Sequence, residues 1–132
     1  RVDDPEGVPR VTGVEVRGVT VGPSPRWLAE RIEAVGGRST NNVVDATNYA
    51  LHGLGQPMHA FDRARLGGAT IVVRRAVDGE AITTLDGQVR TLDHDVLVIA
   101  DGERAQAIAG VMGGADSEVT DGTTDVLLEV AY

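Results

Sequence analysis

Apolar and polar positions alternate near the start of the chain. In residues 10–21 (RVTGVEVRGVTV), Val14, Val16, Val19 and Val21 stand among polar neighbours, which predicts a half-buried strand interrupted by Gly18. Gly22-Pro23 ends it, and the period then lengthens. Trp27, Leu28, Ile32 and Val35 share one helical face, so a helix is predicted over residues 24–36, with Ser24 as cap, Pro25 at its first position and Gly36-Gly37 closing it. A second helix is predicted over residues 42–54, capped by Asn41 or Asn42. It carries Val43, Val44, Thr47, Leu51 and Leu54 at helical spacing and is broken by Gly55-Gln56-Pro57. Residues 58–66 read as a loop with one short helical turn. From residue 69 onward the pattern is β-rich. Strands are expected over 70–75, 81–85, 89–92, 96–100, 106–111 and 125–131, with Asp86-Gly87 as a hairpin turn and 96–100 apolar enough to be buried on both faces. The result is one α+β domain, a mostly antiparallel sheet with two helices from the N-terminal half packed on it.

Composition sharpens this picture. The 132 residues include 17 glycines and only 3% aromatics, so the core must be built from Val, Leu, Ile and Ala. No apolar run approaches the roughly 20 residues that span a bilayer, and no membrane association is expected. Cysteine is absent, which excludes disulfides, thiolate nucleophiles and cysteine-ligated zinc. The net charge is −8, with 20 acidic residues against 12 basic ones, all of them Arg. A chain this acidic lacks the basic footprint of a domain that grips nucleic acid by its phosphates.

Few side chains carry candidate chemistry. His52, His59 and Asp62 match no metal-ligand spacing, and His94 sits in a polar Asp93-His94-Asp95 turn. His59 stands out because it follows a helix-breaking Gly-Gln-Pro, and loops on a scaffold often carry function. Gly110, Gly113 and Gly114 in AGVMGG form either a glycine-rich turn or a pocket wall of bare backbone. Glu129 interrupts the apolar run Leu127-Leu128-Glu129-Val130-Ala131. Alternation puts it either on a solvated face or inward, where its carboxylate needs a donor. Ser117, Thr47 and His59 form no recognisable nucleophile–base set by spacing.

NNVVDATNY, LGQPMHAFD and AIAGVMGG, with SPRWLAERIEAVGGRST before them and TTDVLLEVAY after, occur in this order over residues 9–132. In this combination the chain resembles the central editing domain of the bacterial phenylalanyl-tRNA synthetase β subunit. Thr40, Val11 and the His52-Gly53 pair depart from the family's usual residues, none at a position of expected function. The family's domain continues past the point matching Tyr132, through a segment that helps wall its pocket. The resemblance therefore implies that residues 1–132 are a single, C-terminally incomplete editing domain of a longer subunit.

That resemblance implies hydrolysis of tyrosine wrongly esterified to tRNA(Phe). Glu129 matches the family's acid that receives the tyrosine hydroxyl, and Gly110 the backbone position that leaves room beside the ring. His59 and Thr47 match pocket residues near the ester and the amino group, with Asn48 beside them as a further substrate-binding candidate, and His59 is the best candidate to orient or deprotonate the attacking water. No metal or cofactor is implied for the domain itself. The whole enzyme is implied to be a cytoplasmic α2β2 assembly with a synthetase α subunit, using ATP and magnesium and meeting the 3′ end of tRNA(Phe) with tyrosine or phenylalanine attached. A non-catalytic amino-acid-binding or scaffold module, and a free-standing editing hydrolase, are the competing readings.

Overall fold

A computed structural model describes residues 1–132, the side chain of residue 69 excepted. In chain order the elements begin with β1 (Val11–Arg17), α1 (Arg26–Ala34), α2 (Asn42–Leu54), β2 (His59–Asp62) and β3 (Val72–Arg75). There follow β4 (Ala81–Thr83), β5 (Val89–Thr91), β6 (Leu97–Ala100), β7 (Ala105–Ile108), β8 (Met112–Gly113) and β9 (Asp125–Ala131). Strands β1, β9 and β2 make a three-stranded sheet in the order β1-β9-β2; β3, β6, β7 and β8 make a four-stranded one in that order; β4 and β5 form a hairpin. All pairings within these sheets are antiparallel. The class is α+β, with both helices in the N-terminal half.

Three apolar clusters stack these layers. Val21, Ala60, Val119 and Val126, with Val43 of α2 and Leu128, fill the space between α2 and the three-stranded sheet, and α1 packs on α2. Val8, Phe61, Leu66, Val73, Ile99 and Ala107, with Leu127 and Ala131 against them, fill the space between the two sheets. Ile82 and Leu92 of the hairpin region pack on Val98, Ala100 and Ala105 at the far face of the four-stranded sheet. Strand β6 accordingly sends Ile99 to one cluster and Val98 to another, which is why its sequence is apolar without alternation. Strand β9 is likewise covered on both faces, so its alternation does not separate core from solvent, whereas β1 beside it is mostly exposed, Val14 and Val16 of its expected half-buried pattern included.

Local chemistry explains the helix boundaries. The Asn41 side chain accepts from the backbone N–H groups of Val43 and Val44, and Gly55 stops α2 in the left-handed region at φ 72°. Helix α1 has no such cap. Ser24 does not cap it, because its hydroxyl donates to Asp45 of α2 instead. Only Leu28 and Ile32 of its expected apolar face are buried, while Trp27 and Val35 are exposed. Trp27 packs edge-on against Tyr49, and the Arg31 guanidinium lies 5.6 Å from the Trp27 ring centre. Asp45, wholly buried, also accepts from the Ser39 hydroxyl and the Thr40 backbone N–H, which ties α2 to the segment joining the helices. The expected loop at residues 58–66 is in fact the strand β2 followed by a 3-10 turn at Arg63–Arg65. Four residues are too few to show a period, and β2 is a strand because it pairs with β9. Among the described residues no helix is long and apolar enough to cross a membrane.

Candidate active site

Register brings the two most distinctive polar residues together. Strand β2 pairs with β9 so that His59 lies directly opposite Glu129, with Phe61 opposite Leu127. Directly opposed residues project from the same face of a sheet. Here that face is turned toward the four-stranded sheet, since Phe61 and Leu127 belong to the cluster between the sheets. Phe61 supports the imidazole edge-on, with ring centres 4.4 Å apart.

Residues of both sheets line a cavity of about 480 Å³ at this end. His59, Glu129 and Ala131 line it from the three-stranded sheet. Ile99, Ala107 and Gly113 line it from the four-stranded sheet, with Leu51 of α2 and Leu85 closing the sides. Its wall is mostly apolar, yet it holds two polar atoms left without partners: His59 Nε2 and Glu129 Oε1 are both buried and make no hydrogen bond. Such groups normally find a partner, and leaving one unmade costs about 1–3 kcal/mol. Burial alone shifts both residues. It lowers the His59 pKa, favouring the neutral imidazole, and pushes Glu129 up to about 7.

Gly110 also lines the cavity. It sits at the tip of the β7–β8 connection with φ 70°, in a turn closed by the Val111 N–H donating to the Ile108 carbonyl at 3.1 Å. A Cβ there would meet nothing within 4 Å, so the turn requires glycine while the space beside it is open. Gly113 is constrained differently. A Cβ there would lie 2.8 Å from His59 Nε2 and nearer still to its ring carbon Cε1, so bare backbone is what lets the imidazole sit where it does.

The remaining candidates lie elsewhere. Thr47 is buried on α2, its hydroxyl donating to the Val44 carbonyl, and it lines a separate depression of about 540 Å³ between α2 and the three-stranded sheet. Asn48, the next residue of α2, is half-buried and lines neither hollow. Met58 borders both. Asp62 accepts from Ala64 N–H and the Thr123 hydroxyl, a local structural role. His52 is exposed, and His94 is exposed beside Asp78 at 3.0 Å. Ser117 is fully buried in a 3-10 turn. Leu51, Met58 and Leu85 were not singled out by the sequence, where a cavity wall and a core residue look alike.

The B3/4 domain family matches residues 7–132 of this chain. The phenylalanine–tRNA ligase β subunit of Geobacter sulfurreducens is 59% identical over 131 residues, covering 99% of this chain and 16% of that protein. The β subunit from Symbiobacterium thermophilum is 54% identical over the whole chain and 15% of its own length. The chain thus spans about 16% of the length of such relatives. Among solved structures, an N-terminal fragment of the phenylalanyl-tRNA synthetase β subunit from Pyrococcus horikoshii superimposes with a TM-score of 0.70 at 13% identity, covering 98% of this chain and 41% of the fragment. At that identity the likeness is one of fold.

Proposed function

The chain belongs to the B3/4 domain family, and on that footing we propose that it is the editing domain of a phenylalanine–tRNA ligase β subunit, hydrolysing tyrosine mischarged onto tRNA(Phe). The observation that carries this reading is the cross-strand pair His59 and Glu129, facing one largely apolar cavity with a buried, unpartnered polar atom on each. An aromatic amino acid supplies what that cavity lacks, an apolar ring ending in a hydroxyl. A phenol that donates to Glu129 satisfies its orphan oxygen and favours the carboxylate. Phenylalanine leaves that oxygen bare, so the site favours the wrong amino acid over the right one. His59, kept neutral by burial, retains a ring lone pair able to take a proton from water attacking the ester. Thr47, on the wall of the neighbouring hollow that Met58 also borders, and Asn48 beside it are proposed as substrate-binding residues on the resemblance alone, since neither lines the His59–Glu129 cavity.

Among the described residues no group of three or more His, Asp or Glu side chains is placed to hold a metal ion. ATP and magnesium are assigned, on the resemblance, to the rest of the proposed ligase, and no step here runs through them. That ligase is proposed as a cytoplasmic α2β2 assembly in which an α subunit attaches phenylalanine, with the 3′ end of tRNA(Phe) reaching this domain.

Calorimetric titration of the chain with L-tyrosine and L-phenylalanine tests the reading. Tyrosine should bind more tightly, and Glu129→Ala should abolish the preference. Equal affinity for both, unchanged by the substitution, would refute it. Tyrosine preference in the chain with no ester hydrolysis by the whole ligase would instead favour a non-catalytic amino-acid-binding module.

A further inference from the structure

The β4–β5 hairpin meets the cavity at one residue. Leu85 follows β4 and lines the cavity wall while remaining 44% exposed. Its backbone N–H donates to the Gly113 carbonyl at 3.0 Å, and an isolated antiparallel bridge joins Thr84 to Gly114. Its Cδ1 lies 3.2 Å from the point where a Gly113 Cβ would stand, a point the His59 ring also crowds. Leu85 and His59 are therefore neighbours over the same bare backbone position.

The hairpin tip is built to hold this position. Thr84, wholly buried, donates its hydroxyl to Asp86 at 2.6 Å and accepts from Arg90 Nε at 3.1 Å. Arg90 Nη2 closes the ring on Asp86 at 2.7 Å. The Gly87 N–H donates to the Thr84 carbonyl at 2.8 Å, with Gly87 at φ 78°. A half-exposed leucine on a free loop would swing among rotamers. Here the backbone on both sides of it is fixed, by polar bonds within the hairpin and by the bond to Gly113.

We propose that Leu85 is a specificity-determining and positioning residue of the His59–Glu129 cavity: its side chain walls the ring-binding space beside His59 and shields the imidazole from water. The site then takes a flat aromatic ring with a hydroxyl at its end and excludes one widened by a substituent on its Leu85 side. This rests on the function proposed above. The lowered pKa of His59 agrees with it, since that shift comes from desolvation and Leu85 is a half-exposed apolar group beside the ring. Glu129 is the titratable group facing His59 from β9, α2 contributes apolar Leu51 to the wall, and the hairpin's charges, Asp86 and Arg90, pair with each other.

Two measurements on the chain test the proposal, using wild type, Leu85→Ala and the shape-conserving Leu85→Met. In the first, the His59 ring is titrated by NMR without ligand. Leu85→Ala should move its midpoint upward toward the ordinary imidazole range, and Leu85→Met should leave it in place. In the second, affinities are measured for L-tyrosine and 3-methyltyrosine. Leu85→Ala should weaken tyrosine about fivefold through lost apolar contact and shift the preference toward the bulkier analogue by roughly tenfold. Loss of general stability alone would move neither the titration nor the ratio. An unchanged His59 midpoint overturns the shielding, and an unchanged ratio in a wild type that binds tyrosine overturns the wall. If the wild type binds neither amino acid, the proposed function fails, and the His59 titration still decides the position of Leu85.

Discussion

Replacing Glu129 by Gln removes a charge from the cavity and keeps its shape, which makes the cost of that charge measurable. Burial raises the Glu129 pKa from its ordinary 4.5 to about 7. The folded state therefore holds a proton that the unfolded chain has released. Stability from this residue is fully present below pH 4.5 and is lost as pH rises through 7. At 1.36 kcal/mol per pH unit the loss is about 3 kcal/mol, on the order of 10 °C in Tm for a domain of this size. His59 works in the opposite sense. Its lowered pKa contributes stability above the unfolded value that fades as pH falls through the folded one. Both proteins keep His59, so the difference between their pH profiles reports Glu129. We predict that wild type loses stability relative to Glu129→Gln between pH 4.5 and 8, measured by urea unfolding at closely spaced pH values. Tyrosine should reduce that difference, because a donated phenol bond favours the carboxylate. Parallel profiles would refute the reasoning, since they would mean that Glu129 ionises in the fold as easily as in water.

Asp45→Asn should destabilise the chain by about 1–3 kcal/mol, because the uncharged amide cannot accept from Ser24, Ser39 and Thr40 as the carboxylate does. Burial pushes the Asp45 pKa up, but those three bonds together outweigh it and hold the group below its ordinary 3.8. Its contribution should persist at neutral pH and disappear as acid carries the solution below that value, a trend acid titration of unfolding would show. Gly110→Ala meets no clash but must hold φ 70°, so it should cost about 1–2 kcal/mol in chemical denaturation, and Gly110→Asn less. Binding of tRNA to the chain alone should be weak and nearly independent of salt, because the net charge of −8 offers few phosphate contacts. Tight, steeply salt-dependent binding in a filter assay would contradict that.

The parts of the fold that were legible are those whose signals are local. Asn41 and Gly55 bracket α2 because capping chemistry is set by one or two residues. Asp86-Gly87 marks the β4–β5 hairpin because its turn needs positive φ. Strand β2 was illegible because it exists through its partner: HAFD carries no period of its own, and β9 lies 63 or more positions away. Ser24 has the residue type of a helix cap, yet a buried carboxylate 21 positions on is the stronger acceptor for its hydroxyl. Alternation left the direction of Glu129 open because both faces of β9 are covered, one by α2 and one by a sheet. The burial of Glu129 and its register with His59 belong to the tertiary structure. The local sequence marks both residues as candidates, His59 by the Gly-Gln-Pro break before it and Glu129 by the apolar run around it, but their roles come from resemblance, as does the choice of Thr47, which lies on the wall of the neighbouring hollow.

The central claim is that Glu129 selects tyrosine and His59 serves its hydrolysis. It is tested most directly by deacylation of tyrosyl-tRNA(Phe) with the whole ligase carrying Glu129→Ala or His59→Ala, alongside phenylalanine attachment. A hydrogen bond to a charged partner is typically worth about 1.5–3 kcal/mol, so Glu129→Ala should reduce discrimination by roughly ten- to a hundredfold and let tyrosyl-tRNA survive. His59→Ala should slow hydrolysis while tyrosine still binds in preference to phenylalanine, and attachment of phenylalanine should be untouched in both. Clearance of tyrosyl-tRNA by Glu129→Ala at the wild-type rate would contradict the account.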